Sequence, residues 1–190
     1  MSKRLIVIAL SAMVLIAFIG CSKQPIIESK QAQAALDAAK AAEADKYAPE
    51  TYKAAQDTLA AANQEKTNQD KKFTWFRSYD IAKETFIKAE ALAKEAQSEA
   101  MKAKPMVKAR VETEMKDAQA AVDEANAALK KAKRARMKDL KKYEDEISAL
   151  TANLAQASEQ NGNGMYLEAK TTLDTVIQRA KNFTMEISGK

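Results

Sequence analysis

The chain has 190 residues, carries a formal net charge of +5, and contains no histidine, one cysteine and four glycines. The absence of histidine excludes the commonest general base and metal ligand, and a single cysteine excludes an internal disulfide and every multi-cysteine zinc or iron–sulfur site. No glycine-rich phosphate loop occurs, so we expect no cofactor and no enzymatic activity.

Residues 1–20 have the pattern of a signal peptide. Lys3 and Arg4 form a basic start, and an uncharged apolar run follows over residues 5–19. This run is shorter than the roughly 20 residues that a transmembrane helix needs, but it suits the apolar core of a signal peptide. The alternative is an uncleaved anchor whose cysteine is incidental.

The end of the apolar run resembles the lipobox of bacterial lipoproteins, in which a small residue precedes the cysteine that receives the lipid. Gly20 and Cys21 fit this pattern, while Phe18 stands where leucine is usual. The resemblance implies lipidation of Cys21, with residues 21–26 as a lipidated tether, and lasting membrane anchorage. Ser22, in place of aspartate, implies sorting to the outer membrane, facing the periplasm, if the host is Gram-negative.

Two blocks of sequence recur in the chain in the same order. Residues 32–42 and 118–128 agree at eight of eleven positions at a spacing of 86, and residues 79–94 and 166–181 share six positions at a spacing of 87. Repetition at a fixed spacing predicts a duplicated structural unit. The predicted parts are helical unit 1 (27–104), a junction (105–112) and helical unit 2 (113–190).

Each unit is predicted to contain three helices, because about one residue in five is alanine and the larger apolar residues follow heptad spacing. Pro49 stands where the second helix of unit 1 should begin, a position at which its missing N–H costs nothing. The fold class is all-α, an elongated antiparallel helical bundle or coiled coil. The expected core positions of the second and third helices are Tyr52, Ala55, Leu59, Ala62, Tyr79, Ala82, Phe86, Ala89, Leu92 or Ala93, Ala96 and Ala100 in unit 1, and Leu140, Tyr143, Ile147, Leu150, Leu154, Ala157, Ala169, Leu173, Val176, Ala180, Phe183 and Ile187 in unit 2.

Two segments are expected to interrupt helices. Asn161–Gly164 predicts a loop, because it holds two glycines in alternation with asparagine. Pro105 at the junction predicts a kink or a break in a long helix. Over residues 106–160 two alternatives stay open: a continuous helix, or a bend near the position that Pro49 occupies in unit 1.

Two motifs of unit 1 resemble an uncharacterised family of alanine-rich helical bacterial lipoproteins. They are Tyr47-Ala48-Pro49 before a helix and Ser78-Tyr79-Asp80-Ile81-Ala82 at the opening of the next helix. The resemblance covers residues 27–104, and it implies a periplasmic helical lipoprotein with no established activity and no catalytic residues. Unit 2 departs from the pattern, because Arg136 replaces the proline.

A basic stretch over residues 130–142 is a candidate binding surface. One hypothesis is that it binds anionic lipid, lipopolysaccharide or peptidoglycan carboxylates, because clustered lysine and arginine gain about 1 kcal/mol each near an anionic membrane surface. The other interpretation is a solvated helix face that pairs with neighbouring glutamates. Nucleic acid is not expected as a partner of an exported lipoprotein. The candidate residues are Lys130, Lys131, Lys133, Arg134, Arg136 and Lys138.

Two further groups of side chains each allow two interpretations. The aromatic residues Phe73, Trp75, Phe76 and Tyr79 are expected to cap the end of a helical core, and an exposed recognition patch is the alternative. Six carboxylates are expected on solvated helix faces rather than as a glycosidase-like acid pair. These carboxylates are Glu84, Glu112, Glu114, Asp123, Asp145 and Glu146.

Taken together, these features predict a lipid-anchored helical protein of the cell envelope that acts as a structural spacer or a protein-interaction module. The alternative is a module that binds anionic lipid or peptidoglycan through residues 130–142. The expected partners are the membrane, through lipidated Cys21, and an envelope protein or a second copy of the chain. No catalytic, cofactor-binding or metal-binding residue is predicted.

Overall fold

A computed structural model describes residues 23–135 and 140–189, and within these ranges the chain is all-helical, which confirms the predicted fold class. The α-helices are α1 (Ile26–Ala41), α2 (Ala44–Tyr47), α3 (Pro49–Asp70), α4 (Asp80–Arg134), α5 (Leu140–Gly162) and α6 (Tyr166–Ser188). A 3-10 helix, Thr74–Phe76, lies between α3 and α4. The start of α3 at Pro49 is as predicted.

The described residues form two compact units that divide between Ala103 and Lys104. The core of unit 1 is made by α1, α2, α3 and the first part of α4, and the core of unit 2 by the remainder of α4 with α5 and α6. Alanine allows close approach of the helices in both cores.

The heptad positions predicted from the sequence are buried in both units. In unit 1 every predicted heptad position of α3 and α4, which together form the seam of each helix, is buried. Of the two alternatives Leu92 and Ala93, Ala93 is the fully buried one. In unit 2 the predicted positions of α5 and α6 are buried as well, except that Leu140 is only partly buried at the start of α5. The 3.6-residue period of a helix therefore located the cores correctly.

Pro105 lies inside α4 and does not break it, so the prediction of a break is wrong. A proline removes one backbone N–H and leaves the carbonyl four residues earlier, here that of Met101, without its intrahelical donor. Residues 101–110 contain no buried side chain, and water can therefore hydrate that carbonyl. Helix α4 therefore tolerates Pro105, because the carbonyl that loses its hydrogen bond lies in a solvent-exposed segment.

The chain does not continue as one helix over residues 106–160. Helix α4 ends at Arg134 and α5 begins at Leu140, and both contribute to the core of unit 2. The alternative of a continuous helix is therefore wrong, because α4 ends at Arg134. Residues 136–139 lie outside the described residues.

The turn between α5 and α6 is shorter than the loop predicted over Asn161–Gly164. Helix α5 extends through Gly162, and only the residues from Asn163 to Met165 separate it from α6. Gly164 adopts a φ of 77°, a left-handed conformation that favours glycine. The two glycines therefore have different roles: Gly162 is the last residue of α5, and Gly164 makes the turn.

The folded part of unit 1 begins within the segment predicted as a tether. Pro25 is fully buried and α1 starts at Ile26. The side chain of Gln24 donates hydrogen bonds to two residues of unit 1. Residues 24–26 are consequently part of the fold, and Cys21 precedes the first of them by three positions.

Candidate functional surfaces

Cys21, the predicted lipidation residue, and the whole predicted signal peptide lie outside the described residues. Arg136 and Lys138 of the basic stretch also lie outside them. Of the six candidate residues, Lys130, Lys131, Lys133 and Arg134 are described, and they occupy the last turns of α4. Two further lysines of the stretch, Lys141 and Lys142, lie in α5 and pair with Asp145 and Glu186.

These four side chains are exposed and share one side of α4. Ala128, Leu129 and Ala132 of the same turns are buried in the core of unit 2. Because successive residues of an α-helix are about 100° apart, the four basic positions fall on the arc opposite these buried residues. The sequence pattern thus forms a solvated cationic surface at the C-terminal end of the helix, where the helix dipole also favours positive charge.

A neighbouring glutamate supplies one counter-charge to this surface, as the second interpretation of the stretch expects. Lys133 forms an ion pair of 2.6 Å with Glu144, which lies in the first turns of α5. Lys130, Lys131 and Arg134 form no ion pair within the described part of the chain. Both interpretations of the stretch therefore keep some support, because three of its six described cations are paired and three are not.

The aromatic turn (residues 73–76) is exposed, so the expectation that the aromatic group of residues 73–79 caps a core is wrong for three of its four aromatic residues. Phe73, Trp75 and Phe76 are 70%, 72% and 77% exposed, whereas Tyr79 is buried. The 3-10 helix is flanked by extended backbone at Phe73 and Arg77. This conformation carries the turn away from the seams of α3 and α4.

Hydrogen bonds from polar side chains hold the aromatic turn against the end of α3. Arg77 donates through Nη2 to the carbonyl of Asp70 at 2.8 Å and through Nε to the carbonyl of Lys72 at 2.9 Å. The amide of Ser78 donates to Oε1 of Gln69, which is itself buried. These bonds satisfy carbonyls that the end of a helix leaves without partners.

The carboxylate of Asp70 accepts hydrogen bonds from three parts of unit 1. Its Oδ2 accepts from Lys66 at 2.7 Å, and its Oδ1 accepts from Tyr79 Oη at 2.5 Å and from Gln24 Nε2 at 2.9 Å. The bond from Lys66, followed by that from Tyr79, lowers the pKa of Asp70 below its ordinary value. Sequence spacing could have suggested Lys66 as a partner, but not Gln24.

Helix α1 carries a second carboxylate with a lowered pKa. Glu28 lies in the first turn, where its own backbone N–H is the largest cause that lowers the pKa of its carboxyl, and Lys83 of α4 adds an ion pair of 3.2 Å. Negative charge near a helix N-terminus is stabilised by the free N–H groups there. Glu28 and Lys83 therefore tie α1 to α4.

Of the six carboxylates singled out in the sequence, Glu114 departs most from a solvated face. Its side chain is 12% exposed, and Oε1 accepts from Arg110 Nε at 2.7 Å with Lys170 Nζ at 3.9 Å. The hydrogen bond to Glu114 raises the pKa of Arg110. The group is an ion-pair cluster between α4 and α6, in which Lys170 also pairs with Asp174 at 2.6 Å. The cations between the two carboxylates make this an ion-pair network rather than an acid pair around an open cleft.

Glu146 of α5 is engaged by a guanidinium from α6. Arg179 donates through Nε to Oε1 at 3.0 Å and through Nη2 to Oε2 at 2.8 Å. This bidentate geometry fixes the orientation of the guanidinium relative to the carboxylate. Nearby, Tyr143 Oη donates to Glu186 at 3.0 Å, and its ring meets Phe183 edge to face. These contacts line a shallow depression of about 250 Å³ and cross-link α5 to α6.

A larger open groove of about 660 Å³ runs along unit 2 between α4 and α5. Its floor is formed by small and apolar side chains, including Ala120, Leu154 and Ala155, and its rims carry Lys116 and Asp123. The two rim charges give the groove polar edges. Its lining residues do not include a nucleophile paired with a general base, as a catalytic site would.

Within residues 23–135 and 140–189 no three histidine, cysteine, aspartate or glutamate side chains converge as metal ligands. No helix in the same ranges combines the length and the apolar character needed to cross a bilayer. Comparison of the chain with models of protein families, with curated proteins and with solved structures finds no match.

Proposed function

We propose that this protein is a lipid-anchored helical protein of the cell envelope that acts as a structural spacer or protein-interaction module. The observation that carries the proposal is the short sequence separation, three positions, between Cys21 and Gln24, where the folded part of the chain begins. An acylated cysteine followed by a short link and a folded domain is the arrangement that a lipid anchor requires.

The repeated sequence blocks support the same proposal, because matched residues of the two blocks are buried in both units. The pairs Ala32 and Ala118, and Ala39 and Ala125, are buried in their own units. We therefore interpret the chain as a duplicated helical bundle in which both copies retain their cores. Such a design supplies helix surfaces rather than a reaction centre.

Metabolic labelling with a palmitate analogue tests the anchor. We expect the wild-type chain and Ser22→Ala to be labelled, and Cys21→Ala to lose the label, since Cys21 is the only cysteine in the sequence. Equal labelling of the wild type and Cys21→Ala would refute the proposal. In a Gram-negative host, Ser22→Asp tests sorting, with retention in the inner membrane as the expected result.

The interaction role is tested by photo-crosslinking in cells from the groove of unit 2. A photoreactive amino acid at Ala120 or Ala155, which line opposite walls, should give a crosslinked product of defined mass. The matched control is the same amino acid at Lys88, an exposed residue of α4 in unit 1. The proposal predicts a product from the groove that the control does not give.

A second function, binding of anionic lipid or peptidoglycan, is favoured by the three unpaired cations of the basic stretch. The triple variant Lys130→Glu, Lys131→Glu, Arg134→Glu should weaken binding to anionic vesicles or peptidoglycan about a hundredfold, at about 1 kcal/mol per charge. The control reverses three exposed lysines elsewhere in α4, Lys88, Lys102 and Lys108. Equal binding by both triple variants would remove this function.

A further inference from the structure

Of the eight exposed large apolar side chains in the described part of unit 1, Ile87 and Met101 lie farther along α4, and the other six lie where α1 begins and where α3 joins α4. Three of the six belong to the aromatic turn, and three lie in the first turns of α1 and α4, within three residues of Gln24 or Tyr79. The six are Ile26, Ile27, Phe73, Trp75, Phe76 and Ile81. An exposed apolar group of this size marks a contact surface rather than ordinary scatter.

Hydrogen bonds bring the start of the fold to this surface. Nε2 of Gln24 donates to Asp70 Oδ1 at 2.9 Å and to Tyr79 Oη at 3.4 Å. Asp70 ends α3 just before the aromatic turn, and Tyr79 closes the turn just before α4. Gln24 therefore lies at the base of the turn, and the chain leading back to Cys21 departs from there.

The length of that chain limits how far Cys21 can be from the turn. Cys21 and Gln24 are three positions apart in the sequence, and an extended chain spans at most about 3.5 Å per residue, so Cys21 lies within about 10 Å of Gln24 at the base of the turn. Lipid chains on Cys21 would therefore enter the bilayer beside the aromatic turn.

We propose that the aromatic turn, residues 73–76, is a second membrane contact that inserts into the lipid interface beside the anchored Cys21. This inference rests on the proposed lipid anchor. Tryptophan and phenylalanine suit the interfacial region, where an apolar ring can leave water at headgroup depth. The exposed lysines Lys71 and Lys72 precede the turn and complement anionic headgroups.

The hydrogen bonds of Arg77 and Ser78 prepare the turn for this role. They fix its backbone to the end of α3, so that Phe73, Trp75 and Phe76 are displayed without further ordering. A preorganised apolar surface loses less conformational entropy on binding. The contact would hold the end of unit 1 against the membrane, where the lipid chains alone would leave it free to turn.

Trp75 is the only tryptophan in the sequence, so its fluorescence reports on the aromatic turn directly. The experiment uses the full chain purified from membranes and reconstituted in phosphatidylcholine–phosphatidylglycerol vesicles, with and without lipids brominated on the acyl chain. We expect the emission of Trp75 to shift to shorter wavelength and to be quenched by the brominated lipid. The variant Phe73→Ser, Phe76→Ser should lose the shift and most of the quenching.

The matched control replaces two exposed methionines outside the turn, Met106→Ser and Met185→Ser, and should behave as the wild type. Circular dichroism of each variant establishes that it is folded. Trp75 that stays unquenched in vesicles, or that is quenched equally in the double phenylalanine variant, would overturn the inference.

Mass spectrometry of the N-terminus in the same samples separates this inference from the anchor. An acylated protein with unquenched Trp75 keeps the anchor and rejects the membrane contact of the turn. A protein without acyl chains that is quenched on addition of vesicles rejects the anchor and supports the contact. A protein that is neither acylated nor quenched rejects both.

Discussion

The cores of the two units are built from different side chains, although both are helical. Twelve of the sixteen residues in the core of unit 1 are alanine, and Phe86 is the largest fully buried side chain there. In unit 2 eleven of the nineteen core residues are larger than alanine. Unit 1 therefore depends more on helix propensity and close backbone approach, and unit 2 depends more on the burial of large side chains.

The units also differ at the end of the second helix. In α3 the next two heptad positions after Ala62 are the polar residues Lys66 and Gln69. In α5 the equivalent positions after Leu150 are the apolar residues Leu154 and Ala157. Polar side chains thus close unit 1, where Lys66 donates to Asp70 and Gln69 accepts from Ser78 on either side of the exposed aromatic turn. Apolar packing and a tight turn close unit 2. The two ends therefore differ in the polarity of the groups that pack there.

The largest effect is expected for Phe86→Ala in unit 1. The surrounding alanines have no flexible side chains that could fill the cavity, so we expect a loss of about 3–5 kcal/mol in the free energy of unfolding. Urea denaturation measures it, and hydrogen exchange resolved by peptide assigns it to unit 1. Ile87→Ala, at the exposed neighbouring position, is the control. A loss centred on unit 2 would contradict the distinction between the cores.

Leu150→Ala should destabilise unit 2 by a smaller amount. Leu150 is fully buried, but its neighbours include long side chains that can move into the space, and we expect a loss of about 2–3 kcal/mol. The same two measurements apply, with the exposed Met185→Ala as control. A loss larger than that of Phe86→Ala would reverse the comparison.

The turn of unit 2 should respond oppositely to alanine at its two glycines. Gly162 ends a helix with open space around it, and Gly162→Ala should stabilise by about 0.5–1 kcal/mol. Gly164 has a φ of 77°, and Gly164→Ala should destabilise by about 1–2 kcal/mol. Thermal unfolding of the two variants compares them. Changes of the same sign would show that the left-handed conformation does not govern this turn.

The smallest effect concerns the polar end of unit 1 and is seen through pH. The pKa of Asp70 is lowered in the fold by Lys66 and Tyr79, so the carboxylate stabilises unit 1 above its unfolded pKa of about 3.8. This contribution is lost as pH falls through the folded-state pKa. The Tm of the wild type should therefore fall on acidification more steeply than that of Asp70→Asn.

Asp57→Asn serves as the control for the acid dependence, because Asp57 is exposed on the same helix and pairs only with Lys53. This variant should keep the steeper acid dependence of the wild type. If Asp70→Asn followed the wild-type curve, the network around Asp70 would not stabilise the end of unit 1.

The sequence predicted what depends on local physics. Helix starts such as Pro49 and core positions such as Phe86 and Leu150 follow from propensity and from the 3.6-residue period, which act over one or two turns. The break expected at Pro105 was wrong because the cost of one lost hydrogen bond depends on solvation, which the spacing of residues does not reveal.

Only the tertiary structure decided how distant residues meet. Gln24 and Asp70 lie 46 positions apart, and Lys133 of α4 pairs with Glu144 of α5, where the sequence had left a single continuous helix open. The aromatic turn was expected in a core because its side chains are apolar, but the hydrogen bonds of Arg77 and Ser78 direct it outward. Composition and periodicity determined an all-helical protein with alanine-rich cores. Long-range hydrogen bonds and ion pairs, which no local pattern encodes, determined which of its surfaces are displayed.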